Sequence, residues 1–71
     1  MPKLLGLTPK KVIKVLLHEG FIIDHITGSH YVLFSKENGK RVTVAYHAKD
    51  LPKGTLYSII KSSGVDVEKF K

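Results

Sequence analysis

Apolar and polar positions change period along the chain, and each change marks an element. Val12, Ile13, Leu16 and Leu17 recur at helical spacing, with Lys10, Lys11, Lys14 and Glu19 on the outer face. Thr8 can cap this helix by accepting from an orphan amide, and Pro9 loses nothing at the first helical position. Leu7 and Val12 are spaced for a hydrophobic staple, and Gly20 supplies the stop. The period then falls to two. Phe21 to Thr27, His30 to Ser35 and Arg41 to Tyr46 are rich in β-branched and aromatic residues, with Gly28-Ser29 and Asn38-Gly39 between them. These are strand signals. Helical spacing returns at Leu56, Ile59 and Ile60, predicting a second helix over Thr55 to Ser63 that Gly64 ends. Asp50, Gly54 and Thr55 are its possible capping residues. Asp66 can cap a last short turn, which holds only if Phe70 docks on the body.

Short links between consecutive strands favour an antiparallel meander with both helices on one side. The expectation is a single α+β domain over residues 1–71 in the order α-β-β-β-α. A two-residue turn at Asn38-Gly39 sets Ser35 opposite Val42, Leu33 opposite Val44 and Tyr31 opposite Tyr46. That is the more apolar face and should meet the helices. The other face then carries Phe34 opposite Thr43, Val32 opposite Ala45 and His30 opposite His47, with Lys36 and Arg41 at its far end. Apolar contact, imidazoles and cations together suit a nucleic-acid surface. The competing reading is a protein interface, or a segment lying over Phe34.

Composition narrows the partner. The 71 residues are 42% apolar and 25% charged, which suits a folded domain rather than a disordered one. Twelve Lys and Arg against six Asp and Glu give +6 at pH 7, which favours a polyanion or an acidic protein as partner. The absence of Cys excludes disulfides and thiol chemistry. The leading MPKLLGLTPKK lacks the apolar run of a signal peptide, and no stretch approaches the roughly 18 apolar residues of a membrane span. A cytoplasmic protein is expected.

Four histidines carry the candidate chemistry. His30 follows a small-residue turn at a strand start, where it can be held rigidly and still be reached by solvent. Such a ring can move protons at neutral pH, with a structural histidine as the ordinary alternative. Ser29 has no evident base to make it a nucleophile, so a turn hydrogen bond that orients His30 is its expected use. Gly28 supplies an unusual φ or a close approach to phosphate. His47 can assist His30, bind phosphate or cap its loop. His25 and Asp24 are neighbours in a strand, so they should point to opposite faces and not pair. His18 lies in the last turn of the first helix, where a structural or neutral role is expected. Lys49, Lys53 and Gly54-Thr55 lie at the start of the second helix, either as a phosphate site or as a solvated loop. No metal-ligand spacing, GxGxxG or Walker pattern occurs, so no metal and no cofactor are expected.

Taken in order, these blocks resemble the HicA toxin family, the small mRNA interferases of type II toxin–antitoxin systems. The resemblance is carried by Gly20-Phe21, by Gly28-Ser29-His30, by the hairpin ENGKRVTV, by His47 and by LPKGTLYSIIKSSGV at 51–65. It implies a fold like that of double-stranded-RNA-binding domains and metal-independent endoribonuclease cleavage of mRNA. It also implies His30 as the catalytic residue and a HicB-like antitoxin as partner. Ala45 stands where many members have Pro, His25 stands where Arg or Lys is common, and the C-terminal helix is nearly absent. A noncatalytic RNA-binding module and a pure protein-interaction partner are the alternatives.

Overall fold

The computed structural model describes residues 7–46 and 51–70. Helix α1 runs Pro9–His18, after an extended Thr8 whose hydroxyl accepts from the Lys11 amide at 3.3 Å. Pro9, Val12 and Leu16 form the centre of its buried stripe, with Ile13 on the flank. Leu17, expected in that stripe, is 44% exposed because it sits about a quarter-turn from the stripe's centre.

Three strands follow, β1 (Phe21–Thr27), β2 (His30–Ser35) and β3 (Arg41–Ala45), as an antiparallel sheet in the order β1-β2-β3. Helix α2 spans Lys53–Ser63, and a 3₁₀ turn spans Val67–Phe70. The α-β-β-β-α order is therefore the one the chain's periodicity predicts. Helix α2 starts two residues before Thr55, with Pro52 as its N-cap and no side-chain cap hydrogen bond. Of the expected capping residues, Gly54 and Thr55 lie inside the helix and Asp50 lies outside the described residues. At its other end the buried Ser63 hydroxyl donates to the Ile60 carbonyl at 2.7 Å and accepts from the Val65 amide at 3.1 Å. Asp66 accepts from the Glu68 amide at 3.0 Å, and Phe70 docks in the core as the last turn requires.

The core lies between the helices and one face of the sheet. Leu33, Val42 and Val44 meet Val12, Leu16 and Leu56 there, all nearly inaccessible to solvent. Among the described residues, no helix is long and apolar enough to cross a membrane.

The hairpin register differs from the expected one by two residues. Leu33 faces Val42, Tyr31 faces Val44, Phe34 faces Arg41, Val32 faces Thr43 and His30 faces Ala45. The Asn38-Gly39 pair sits inside a four-residue connection, 36–39. It is closed by Ser35 N–H to the Lys40 carbonyl at 2.9 Å and by Gly39 N–H to the Ser35 carbonyl at 2.8 Å. The Asn38 side chain accepts from the Lys40 amide at 2.9 Å, which shapes the wider loop. A shift of two keeps every side chain on its predicted face, whereas a shift of one would have exchanged the faces. His30 is therefore not opposed to His47, which lies outside the described residues. Tyr31 and Tyr46 are no longer directly opposite, yet their rings still stack at 4.9 Å.

Candidate functional site

The face turned away from the helices gathers the polar chemistry. From β2 it takes His30, Val32 and Phe34, and from β3 it takes Arg41, Thr43 and Ala45. This follows from their alternation with the buried Leu33, Ser35, Val42 and Val44. Between β1 and β2 the register slips after Ile23: Ile22 faces Phe34 and Ile23 faces Leu33, but His25 faces Val32 and Thr27 faces His30. Asp24 is the extra residue of a β-bulge. Such an insertion bends the strand and re-aims side chains. Strict alternation would set His25 and Thr27 with Phe21 and Ile23 on the helix side. The bulge instead brings them to the open face, beside Asp24 and Ile22.

Asp24 and His25 therefore pair, contrary to the alternation rule. The Asp24 carboxylate accepts from His25 Nδ1 at 2.8 Å and from an Arg41 guanidinium N–H at 3.1 Å. Arg41 reaches it across β2, with its guanidinium 5.0 Å from the centre of the Phe34 ring. The hydrogen bond from His25, and next that from Arg41, hold the Asp24 carboxyl below its ordinary value. An ionised carboxylate only accepts, so His25 Nδ1 carries its proton toward Asp24. Nε2 is left without a partner among the described residues.

His30 is built differently. Gly28-Ser29 closes a two-residue turn between the paired Thr27 and His30, with Gly28 at φ +58°. The Ser29 carbonyl accepts from the Tyr46 amide at 2.6 Å, tying the turn to the end of β3. It is this carbonyl, rather than the Ser29 hydroxyl, that anchors the turn. His30 lies between Thr27 and Ala45, two small neighbours that leave its ring exposed. The ring makes no hydrogen bond to any described residue.

The remaining predicted residues scatter. Lys36 is exposed at the start of the hairpin connection, at the far end of the open face from His30. Lys53 opens α2 and belongs to the helix layer. Lys49 and His47 lie outside the described residues. A cleft of about 350 Å³ runs from Arg41 and Thr43 to Thr55, Ser58 and Ser62 of α2. Among the described residues no three His, Asp or Glu side chains gather as a metal site would. The Asp24–His25–Arg41 group was missed from sequence, although one signal was present. The apolar positions Phe21, Ile23 and Ile26 break the period of two between Ile23 and Ile26, where the extra residue sits.

The family model described as "HicA toxin of bacterial toxin-antitoxin" matches residues 9–65. That span takes in α1, the whole sheet with its turns, and α2. No protein of curated function matches the chain. On the family match, over most of its length, the chain belongs to the HicA toxin family of bacterial toxin–antitoxin systems.

Proposed function

We propose that this toxin is an endoribonuclease that cuts mRNA, with His30 as a proton-transfer group and a HicB-like antitoxin as its restraining partner. One observation carries the reading. His30 is an exposed imidazole without a hydrogen bond to any described residue, held at the end of an open sheet face by a short turn.

RNA carries its own nucleophile. A base that removes the 2′-OH proton directs that oxygen at the adjacent phosphorus, and the 5′-oxygen leaves. The products are a 2′,3′-cyclic phosphate and a free 5′-hydroxyl, and this route calls on no metal. Phe34, Val32 and Ile22 offer apolar surface to unstacked bases, as single-stranded RNA requires. Arg41 and Lys36 supply phosphate contacts at the other end of the face. The net charge of +6 draws RNA in and equally suits an acidic antitoxin.

The test is incubation of the protein and its His30→Ala variant with RNA in a chelator. The parent should give fragments ending in cyclic phosphate. Loss of the imidazole should slow cleavage about 10²–10⁴-fold with the circular dichroism spectrum unchanged. A variant that cuts at the parental rate removes His30 from the reaction. A parent that binds RNA without product is a noncatalytic RNA-binding module.

A further inference from the structure

Internal attack moves two protons, one from the 2′-OH and one to the departing 5′-oxygen. His30 accounts for one of them. We propose that His25, oriented by Asp24, is the second proton-transfer group and protonates the 5′-oxygen. This inference rests on the ribonuclease reading above.

The described groups on the open face leave few candidates. Arg41 keeps its protons under all ordinary conditions. Lys36 lies at the opposite end of the face from His30. Tyr31 and Tyr46 stack on each other, and Tyr31 alternates with open-face residues onto the helix side. His25 is different. It faces Val32, which lies two residues from His30 on the same strand and face, so the two imidazoles occupy diagonal cross-strand positions. Diagonal positions stand about 7–8 Å apart. That leaves room for one phosphate, with a hydrogen bond of about 2.8 Å at each side. The His25 side chain is 54% exposed, so RNA can reach it.

Asp24 decides which nitrogen acts. Its carboxylate occupies Nδ1 at 2.8 Å, so proton transfer runs through Nε2. Arg41 donates to the same carboxylate oxygen and holds Asp24 over the sheet. The charged and titratable groups facing His25 are thus Asp24 on its own strand, Arg41 from β3 and His30 from β2. In the reaction His30 takes the 2′-OH proton and the bond from the 2′-oxygen to phosphorus forms. The bond from phosphorus to the 5′-oxygen breaks with its electron pair on that oxygen. The oxygen then takes the Nε2 proton of protonated His25, and exchange with water resets both rings.

Two substrates separate the roles: an RNA dinucleotide, and the same dinucleotide with sulfur at the bridging 5′ position, whose thiolate leaves without protonation. His25→Ala should slow the oxygen substrate about 10²–10⁴-fold, the usual span for a lost acid. It should slow the sulfur substrate less than about 10-fold, while His30→Ala slows both. The alkaline limb of the parental pH–rate profile should disappear in His25→Ala. Asp24→Asn should slow the oxygen substrate selectively, as an orienting residue would. His25→Gln, which can still donate to Asp24, repeats the test should the alanine variant unfold.

Equal slowing of both substrates, or parental rates on both, overturns the role of His25. If that happens while His30→Ala is inactive, the ribonuclease reading stands and only this inference falls. A parent that cuts neither substrate overturns both.

Discussion

The Gly28 turn offers a quantitative test of how the backbone presents His30. Gly28 has φ +58°, and a Cβ built there meets nothing within 4 Å. Steric conflict therefore adds nothing, and the cost of Gly28→Ala is conformational alone. Placing an L-residue in the left-handed region costs about 1–2 kcal/mol. Alanine also narrows the unfolded ensemble, which offsets about 0.4–1 kcal/mol of that. The net loss is about 1 kcal/mol, or a fall of roughly 4–8 °C in Tm for a domain of this size. Gly28→Asn should recover most of the loss, since asparagine visits this region readily. Gly20 is the control. Its φ is +99°, well beyond the roughly +50 to +70° of the left-handed region that asparagine visits, so asparagine should give no relief there. Thermal and urea unfolding of the four variants measures the series. A Gly28→Ala protein as stable as the parent refutes the left-handed turn, and so does an asparagine variant no better than alanine. Cleavage by the folded Gly28→Asn protein then separates two roles. Retained activity makes the glycine's use conformational, and loss of RNA binding makes it a close approach to phosphate.

Leu33→Ala removes a fully buried side chain and should cost about 2–5 kcal/mol by urea unfolding, a large part of the roughly 4–11 kcal/mol expected of this length. A loss below about 1 kcal/mol would take Leu33 out of the core. Thr8→Ala should cost about 1 kcal/mol by removing the cap of α1, and an unchanged unfolding midpoint would refute that contact. Asp24 titrates lower folded than unfolded, so its contribution is present above the ordinary carboxylate range and is lost as pH falls through the lowered value. The Tm gap between the parent and Asp24→Asn should therefore shrink as pH falls below about 4, and a gap independent of pH would contradict the ion pairing. RNA affinity should fall with salt, and Lys36→Ala should flatten the log–log slope by about 0.7 for a single strand, whereas an unchanged slope would remove Lys36 from the phosphate contacts.

The elements were legible where composition and punctuation agreed. Gly20, Gly28-Ser29 and Gly64 lie at element boundaries, and the bounds of β1, the start of β2 and the end of α2 follow from them directly. The hairpin register was not legible, because Asn-Gly suits both a two-residue turn and the end of a longer connection. Only the Ser35–Lys40 and Ser35–Gly39 hydrogen bonds distinguish the two. The open face was still read correctly, since an error of two residues preserves parity. On β1 the error was of the other kind. One insertion at Asp24, marked in the sequence by nothing more than the broken spacing between Ile23 and Ile26, reverses the parity of everything after it, so His25 was set apart from the carboxylate that holds it. The exposed His30 was readable from its turn. The Asp24 contact was not, since it depends on three strands at once.

The same bulge bears on solubility. Strand β1 is an outer strand, and Ile22, Ile23 and Ile26 on it are 39–52% exposed. Such an edge invites a second chain to zip alongside it and propagate into aggregates. The slip at Asp24 breaks the run of evenly spaced amides and carbonyls that zipping needs, and it sets a charge in the middle of the strand. Deleting Asp24 would leave a smooth six-residue edge with three isoleucines, and the cell would then meet a sticky protein as well as one with a dismantled face.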